Sequence, residues 1–426
     1  MLQLGELSLA SLNGCVHCGF CLAVCPTYEQ LGIEDDSPRG RLHLIRNLAA
    51  GTVEATGKVL EHLDLCLACR ACESACPSGV KYGVVIEDAR ARLEAGRKRP
   101  FLQARVRNFF MRGVFPRPAR MRSLVRGLRL TQRLKLDRLA IRLGIVSGRM
   151  AVMAEAARVP DRFGSDELPE VVAAKGPRRY TVAFVQGCVT DVMFGPTNVA
   201  TVRVLAANGC EVRIPAGQCC CGALASHFGD LEQARRQARQ NIDAFLATGA
   251  DYIITNAAGC GSTLKEYHHL LSGDPAYAER ARQFVDRVKD VSEFLSSIDL
   301  VPPPHPVRLK VAYQDACHLN FGQGIRVQPR KLLSSIPGLE LVNLKSDTCC
   351  GSAGIYNIVQ PEMADALLRR KMADIQATGA QAVATGNAGC MMQLRVGARQ
   401  YGPKVEVMHV IDLLDQAYGA GNGAGR

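Results

Sequence analysis

The sequence predicts an α+β protein in which a helical, cysteine-rich N-terminal domain is followed by a duplicated α/β domain. Three observations lead to this fold class. Eight cysteines form two identically spaced runs within the first 80 residues, no cysteine lies between Cys76 and Cys188, and the chain after about residue 178 contains an internal repeat. With 426 residues, 47% of them hydrophobic, the chain can fill two or three cores of ordinary domain size, about 100 to 200 residues each.

Composition narrows the class of protein further. The charged fraction is 22%, which together with the apolar content excludes a mostly disordered chain. The apolar runs are shorter than the roughly 18 to 20 residues that a membrane-spanning helix needs. The N-terminus has no basic segment before an apolar stretch, as a secretory signal would. We therefore expect a cytoplasmic protein whose membrane contact, if any, is peripheral. The predicted regions are an N-terminal domain at 1–89, a basic helical connector at 90–177 and two α/β repeats at 178–300 and 307–418.

The two cysteine runs read CVHCGFCLAVCP and CLACRACESACP, both with the spacing C-x2-C-x2-C-x3-C-P. In a cytoplasmic protein clustered cysteines are more often metal ligands than disulfides. This spacing is typical of ferredoxin-type domains that hold two 4Fe-4S clusters, in which the first three thiolates of a run bind one cluster and the fourth binds the other. Zinc sites also use four cysteines, but without this three-plus-one spacing.

The motif predicts which cysteines share a cluster. Cluster 1 takes Cys15, Cys18, Cys21 and Cys76, and cluster 2 takes Cys25, Cys66, Cys69 and Cys72. Four thiolates complete each cluster, so His17 in the first loop is expected to face solvent or to form a hydrogen bond. Between the runs, Ser37 as N-cap, Pro38 at the first helical position and Gly51 after the last turn predict a helix that separates the two loops.

The connector is strongly basic. Residues 90–150 contain eighteen Lys or Arg and two acidic residues, a net charge of +16 in a chain whose total is +12. A basic stripe is predicted because arginines recur at helical spacing, at Arg122, Arg126, Arg129 and Arg133. An anionic lipid surface, an acidic partner subunit and a solvated face remain open as interpretations. Nucleic acid is not expected, since no nucleic-acid-binding module accompanies the charge.

The region after residue 178 is duplicated. VAFVQGCVTD at 182–191 matches VAYQDACHLN at 311–320, and the paired cysteines of the two halves are separated by 129 or 130 residues. Each half alternates strand and helix, which predicts mainly parallel sheets. The predicted strands are 181–187, 211–216, 251–256, 309–315, 339–344 and 381–387, and the longer helices are 196–209, 231–249 and 361–379. PPPHP at 302–306 is expected to break the chain between the halves.

Four cysteines in each half follow predicted strands, so their thiols are expected to meet at one rim of each sheet. They are Cys188, Cys220, Cys221 and Cys260 in the first half, and Cys317, Cys349, Cys350 and Cys390 in the second. A third iron-sulfur cluster, another metal or thiol chemistry, and a structural role all remain open for them. Cys210 and Cys219 have no counterparts and are expected to be structural. Gly222 and Gly351 are expected to let the backbone approach a bulky ligand.

On these motifs, together with the phrases CVHCGFCLAVCPTYEQLG, SPRGR and LDLCLACRACESACPSGV, the chain resembles the iron-sulfur subunits of glycolate oxidase, also called glycolate dehydrogenase. The likeness covers nearly the whole chain. A similar architecture occurs in iron-sulfur subunits of lactate utilisation, anaerobic glycerol-3-phosphate dehydrogenase and heterodisulfide reductase. The resemblance implies FAD-containing partner subunits that oxidise glycolate to glyoxylate, and a chain that passes electrons toward membrane quinone.

One departure from the heterodisulfide reductase relatives affects the cofactor prediction. Their repeats end in C-x2-C. Here the position of the second cysteine is taken by Thr263, three residues after Cys260, and by Gln393, three residues after Cys390. Four cysteines remain in each half instead of five. An ordinary 4Fe-4S site, or one site shared by the halves, is therefore expected in place of their double cluster.

The functional prediction is an electron carrier with no catalytic residue of its own. The sequence has no G-x-G-x-x-G, P-loop or G-x-S-x-G motif, so we expect no bound dinucleotide. Oxidation of a 2-hydroxy acid removes a hydride, which a flavin accepts and a one-electron cluster does not. A disulfide-reducing enzyme and a redox sensor are the alternatives.

Arg70 and Lys81 are expected to be solvated. His318 and His409 are expected to be hydrogen-bonded histidines in preference to ligands or proton donors at a quinone site.

Overall fold

The N-terminal region consists of short helices arranged around the two cysteine loops. The computed structural model describes residues 2–97 and 99–419. The helix predicted after Ser37 is confirmed, because the Ser37 side chain accepts a hydrogen bond from the Gly40 amide and Gly51 ends the helix with a φ of 74°. The helices of this region are α1 (Glu6–Asn13), α2 (Pro26–Leu31), α3 (Pro38–Ala50), α4 (Gly57–Asp64), α5 (Ala71–Ser74) and α6 (Tyr82–Gly96).

The connector is helical, as its periodicity predicts. It consists of α7 (Phe101–Asn108), a π-helical turn (Phe109–Val114), α8 (Pro118–Arg133), α9 (Leu136–Arg142) and α10 (Gly148–Ala156). The predicted arginine stripe lies on α8 and faces the first α/β half. Its ion pairs are Arg122–Asp191, Arg126–Asp166 and Arg133–Asp161. The Arg129 guanidinium lies 4.0 Å from the centroid of the Phe163 ring. The stripe therefore contacts the protein's own surface, and any external partner would contact a different face of the connector.

The first α/β half contains a five-stranded sheet in the order β1-β3-β2-β4-β5. The strands from β2 to β5 pair in parallel, and β1 adds an antiparallel edge. Its elements are α11 (Gly164–Glu167), β1 (Val171–Val172), β2 (Tyr180–Val185), α12 (Cys188–Met193), α13 (Gly195–Ala207), β3 (Cys210–Arg213), α14 (Ala223–His227), α15 (Leu231–Leu246), β4 (Tyr252–Thr255), α16 (Ala258–Leu264), α17 (Tyr267–Leu270), α18 (Ala278–Arg287), β5 (Val288–Asp290) and α19 (Val291–Ser297).

The second half contains a four-stranded parallel sheet in the order β7-β6-β8-β9. All six predicted strands and the three long helices are confirmed in the two halves. The sequence missed β1, β5 and β9, which have two to four residues and directly adjoin helices or loops. The elements of the second half are β6 (Lys310–Tyr313), α20 (Cys317–Gln323), α21 (Val327–Ser334), β7 (Glu340–Asn343), α22 (Tyr356–Val359), α23 (Pro361–Ala377), β8 (Ala382–Thr385), α24 (Ala388–Gln400), β9 (Glu406–His409) and α25 (Val410–Ala417).

The two halves share a hydrophobic core. Val182 and Phe184 of β2 and Val311 of β6 belong to one cluster of buried side chains, together with Val410 and Leu413 of α25. Outside that cluster, Arg203 of α13 pairs with Asp415 of α25 at 2.5 Å. The shared core holds the two sheets in a fixed relation, so the cysteine rims of both halves lie near the same interface. No helix of the described chain combines the length and the apolar character needed to cross a bilayer.

The glycines that follow the CCG cysteine pairs are required by the backbone. Gly222 and Gly351 have φ values of 88° and 83°, a region that disfavours residues with a Cβ. A Cβ at Gly351 would lie 2.6 Å from the carbonyl oxygen of Ala364 in α23. The expectation that these glycines let the backbone approach a bulky ligand stays a prediction, and the contacts give the glycines a further role. They turn the chain and let it pack against the following helix.

Substitution of Gly351 by Ala should destabilise the fold more than the same change at Gly379. Both residues have positive φ, but a Cβ at Gly379 would meet no atom within 4 Å. Each variant incurs about 1 to 2 kcal/mol for the left-handed backbone, and Gly351→Ala adds an overpacking cost of about 1 to 3 kcal/mol. Thermal unfolding of both variants checks this. Equal midpoints would show that the contact with Ala364 does not constrain residue 351.

Candidate functional site

The first cavity of the N-terminal region is lined by thiols. Cys15, Cys18, Cys21 and Cys76 surround it, and Cys72 lies at its border. The helix α1 ends just before the first three of these cysteines, and α5 ends just before the fourth. The structure thus brings together the four residues predicted for cluster 1, although Cys76 is distant from the others in sequence.

The second cavity adjoins the first. It is lined by Cys25, Cys66, Cys69 and Cys72, with Arg41 beside them, and Cys72 contributes to both cavities. The spatial grouping matches the crossed pattern of the motif, while the ligand roles themselves remain predictions. Two sets of four sulfur donors, the first partly exposed and the second buried, fit two 4Fe-4S clusters. In the described residues no three His, Cys, Asp or Glu side chains are arranged around a single metal ion, and a cluster bound at four separate iron atoms does not need that arrangement.

Positive charge and hydrogen-bond donors surround Cys66. Burial alone would raise the pKa of Cys66, but the charges of Arg41 and Arg90 outweigh it and lower that pKa. The Tyr82 hydroxyl donates to the Cys66 Sγ at 3.5 Å, and the Ala68 amide donates to it at 3.4 Å. Such groups stabilise anionic sulfur, and around a bound cluster they tune its reduction potential.

Sequence reasoning missed Arg41 as part of this site, although it lies in the phrase SPRGR. The side chain is 1% exposed and donates to Thr27 Oγ1 at 3.0 Å and Asp36 Oδ1 at 3.3 Å. Gly40 permits this arrangement, because a Cβ there would overlap the carbonyl oxygen of Glu34. The sequence alone does not distinguish Arg41 from Arg39 on the other side of Gly40, because the close contact at Gly40 exists only in the fold.

The first α/β half brings four thiols together. The Sγ atoms of Cys188 and Cys220 are 3.5 Å apart, and Cys221 lies beside both Cys220 and Cys260. Cys188 begins α12, the CCG turn follows β3, and Cys260 lies in α16 after β4. The thiols therefore meet at the carboxyl ends of three parallel strands, as the topology predicts.

The second half repeats this arrangement. The Sγ atoms of Cys317 and Cys349 are 4.0 Å apart, and Cys350 lies beside Cys349 and Cys390. The Asn387 side-chain amide donates to the Cys390 Sγ at 3.3 Å. Both groups of four sulfur donors are chemically suited to an iron-sulfur cluster.

The second cysteine loop of the N-terminal region packs directly against the second half. Cys69 shares a buried cluster with Cys349, and Cys317 packs against the same cluster. His318 Nε2 donates to the Ala68 carbonyl oxygen at 3.0 Å, and the Tyr356 hydroxyl donates to the Leu65 carbonyl oxygen at 2.7 Å. The four thiols of the second half are therefore next to the cavity predicted for cluster 2.

Arg70 fastens the same loop to the first half. The side chain is 7% exposed, forms a bidentate ion pair with Glu266 and lies 3.6 Å from Glu87. Burial would raise the pKa of Glu87, but His227 and Arg70 hold it at about 2, so that Glu87 is ionised. The expectation that Arg70 is solvated is wrong, because two acidic side chains offset its burial. Lys81 is exposed, as predicted.

The three histidines singled out in the sequence are all hydrogen-bonded. His409 Nδ1 accepts from the Ile411 amide at 3.1 Å, and its Nε2 donates to the Asn256 carbonyl oxygen at 2.9 Å. Burial lowers the pKa of His318 to about 3, so its ring is neutral. His17 Nε2 lies 3.1 Å from Arg46 Nη1, which donates to it.

The Sγ atoms of Cys210 and Cys219 form no hydrogen bond to the two groups of four thiols among the described residues. Cys210 is fully buried in the shared core, where burial raises its pKa to about 12. The Cys219 Sγ points to the carbonyl oxygens of Cys220 and Gln237. Both are placed as structural cysteines would be.

Three family models match four segments of the chain. A 4Fe-4S dicluster domain matches residues 11–80, the linker region of the glycolate oxidase iron-sulfur subunit matches 102–157, and a cysteine-rich domain matches twice, at 182–265 and 311–395. The repeat deduced from the cysteine offsets is thus confirmed.

Similar proteins extend over nearly the whole chain. The probable glycolate oxidase iron-sulfur subunit of Bacillus subtilis is 42% identical, covering 96% of this chain and 94% of its own. The glycolate oxidase iron-sulfur subunit of Escherichia coli is 36% identical, covering 95% and 94%. A fumarate reductase (CoM/CoB) subunit of Methanothermobacter marburgensis is 31% identical, covering 96% and 72%. The crystal structure of a hypothetical protein from Helicobacter pylori aligns with a TM-score of 0.56 at 9% identity, covering 99% of this chain and 74% of that one, which shows a shared fold alone.

Replacing Arg70 by Gln should be strongly destabilising, because Glu87 and Glu266 would lose the charge that offsets their burial. Removing one partner from a buried ion pair costs about 3 to 5 kcal/mol. Arg282→Gln is the matched control, since Arg282 pairs with Glu279 on the surface, where both side chains are more than two-thirds exposed, and should change stability little. Thermal unfolding under anaerobic conditions measures both. Equal effects would show that Arg70 does not hold the loop in place.

Proposed function

The chain belongs to the family of glycolate oxidase iron-sulfur subunits, and we propose that it carries electrons from FAD in partner subunits toward membrane quinone. The partners would oxidise glycolate to glyoxylate and transfer the resulting electrons to this chain. We place this assembly in the cytoplasm, on the inner face of the membrane. The chain itself would supply no catalytic residue to the oxidation step.

The observation that carries this proposal is the continuity of the three thiol groups. Cys72 lines both cavities of the N-terminal region, and Cys69 of the second cavity packs with Cys349 of the second half. A bound 4Fe-4S cluster takes up and releases one electron at a time. A series of adjoining sites is what a one-electron route between a flavin and a distant acceptor requires.

The proposed cofactors follow from the donor sets. Cys15, Cys18, Cys21 and Cys76 would hold cluster 1, and Cys25, Cys66, Cys69 and Cys72 would hold cluster 2. We assign a third iron-sulfur cluster to Cys317, Cys349, Cys350 and Cys390, because these residues adjoin the second cavity. The first half contains an equivalent group of four thiols, Cys188, Cys220, Cys221 and Cys260. We assign no cluster to this group.

The remaining residues of the site position and polarise the sulfur donors. Arg41 and Tyr82 stabilise negative charge on Cys66. Arg70 holds the loop 66–72 against Glu266 of the first half, and His318 holds it against the second. These contacts keep neighbouring sites at fixed separations, which one-electron transfer needs.

A specific cleft favours a second candidate, reduction of a disulfide substrate. The cleft is about 770 Å³ in volume and lies between the N-terminal region and the second half, with Cys349, Phe321 and Arg370 among its lining residues. A thiol-bearing site open to a cleft is what a disulfide-reducing enzyme of the heterodisulfide reductase type would use. Thr263 and Gln393 argue against it, since they leave each half one cysteine short of that family's pattern.

The substrate of the partner subunits is a separate question, because the substrate pocket would not lie in this chain. The same series of thiol groups would also serve a complex that oxidises lactate or glycerol 3-phosphate. Glycolate is proposed because the relatives that match nearly the full length carry that name.

Purification with associated proteins tests the proposed function. Anaerobic isolation should yield the chain with flavin-containing subunits, and this complex should reduce a quinone analogue with glycolate but far more slowly with lactate or glycerol 3-phosphate. The isolated holo chain should neither oxidise glycolate nor turn over a disulfide with a reduced dye. Rapid disulfide reduction by the isolated chain would favour the second candidate.

Iron content tests the cofactor assignment. The wild-type chain should bind about twelve iron atoms, as three 4Fe-4S clusters require. Cys317→Ala should reduce this to about eight, and Cys25→Ala should instead deplete cluster 2. Cys210→Ala is the matched control, because Cys210 is buried outside every thiol group, and should leave the iron content unchanged. A wild-type content of about eight would confine the clusters to the N-terminal region.

A further inference from the structure

The connector has an outward surface that is both apolar and basic. Of the 24 large hydrophobic side chains exposed among the described residues, 13 fall between Phe101 and Met150. We call the outward surface of α8 and α9 the connector face, and its apolar members include Leu124, Leu128, Leu134, Leu139 and Leu143. These side chains are 42 to 65% exposed. A concentration of exposed leucines in one segment indicates a surface that something else covers.

The charge on this face is of one sign. Residues 101–150 contain thirteen Lys or Arg and a single acid, Asp137, whose side chain is only 8% exposed and pairs with Arg158 at 2.9 Å. The predicted stripe on α8 forms ion pairs with acids of this chain, Asp191 of α12 and Asp161 and Asp166 of the segment before β1. Among the described residues Lys135, Arg138 and Arg142 form no ion pair, and all three are exposed.

The two kinds of side chain form parallel rows on α9. Leu136, Leu139 and Leu143 recur at i, i+3 and i+7, so they lie on one side of the helix. Arg138 and Arg142 each come one residue before a leucine of this row, which places a cationic row beside the apolar one, and Lys135 adds a third positive charge at the N-cap of α9. A row of leucines flanked by cationic side chains is the arrangement of helices that lie in the plane of a lipid interface.

A lipid surface accounts for this pattern better than a protein partner. Protein interfaces are enriched in arginine, but their fully buried cores are depleted of charge, and here every leucine of the rows has an arginine or lysine within one or two positions. At a bilayer surface leucines enter the acyl region while long basic side chains extend to the phosphates. We propose that the connector face lies on an anionic phospholipid surface. This inference goes beyond the electron-transfer function and does not depend on it.

A single tryptophan can report this contact, because the chain contains none. Leu143→Trp places the probe on the connector face, and Val327→Trp places it in the second half at a similar exposure, 65% against 69%. Mixed phosphatidylcholine–phosphatidylglycerol vesicles should shift the emission of the holo Leu143→Trp chain to shorter wavelength. Neither phosphatidylcholine vesicles at moderate salt nor the Val327→Trp probe should give this shift.

Charge removal provides the second arm. Replacing Lys135, Arg138 and Arg142 together by Gln should weaken sedimentation with the mixed vesicles by at least about tenfold, since each basic residue near such a surface contributes about fivefold. The control replaces Arg178, Arg282 and Arg369, exposed basic residues outside the connector, and should change binding little. Unchanged visible absorption would show that the variants keep their cofactors.

Three results would overturn the proposal. One is the absence of vesicle binding by the wild-type chain. Another is binding that ignores lipid charge or survives the triple Gln substitution. The third is a shift of the Leu143→Trp emission on addition of flavin-containing subunits or nucleic acid but not of vesicles.

Discussion

The structure depends on one docking contact, that of the cysteine loop 66–72 against both α/β halves. Arg70 within this loop is buried and reaches Glu266 in the first half, while the carbonyl oxygens of Ala68 and Leu65, which precede it, accept hydrogen bonds from His318 and Tyr356 of the second. Leu67, Cys69 and Ala71 of the loop also pack in a buried cluster with Cys349 of the second half. The ion pair of Arg70 fixes the loop against the first half, and this packing with the hydrogen bonds of His318 and Tyr356 fixes it against the second.

Buried cysteine thiols and nearby arginine charges determine the electrostatics of the site. Burial disfavours charged sulfur, as the raised pKa values of Cys69 and Cys72 indicate. Arg41 offsets this cost beside Cys66, and the acids that neutralise Arg70 are Glu87 of α6 and Glu266 of the first half. Positive charge thus lies close to the sulfur donors, while negative charge lies at the boundary between regions, an arrangement suited to anionic clusters in a protein interior.

Much of the fold and part of the site could be predicted from the sequence, for physical reasons. The helix after Ser37 carries its own cap and stop signals, and the central strands of the repeat, β2, β4, β6 and β8, are buried on both faces, so local patterns identify them. The crossed grouping of Cys25 and Cys76 follows from motif spacing. The role of Arg70 could not be predicted, because its partners are 17 and 196 positions away and only the tertiary fold brings them together. The α8 arginines were recognised as a stripe, but their acidic partners lie 28 to 69 positions away in the sequence.

We propose that iron occupies a continuous series of sites through the chain. Diffraction from anaerobically grown crystals, recorded at the iron absorption edge, locates metal directly. Anomalous density is expected within the two N-terminal cavities and within the group formed by Cys317, Cys349, Cys350 and Cys390. Density at the zinc edge instead, or none beside the docked loop, would contradict it.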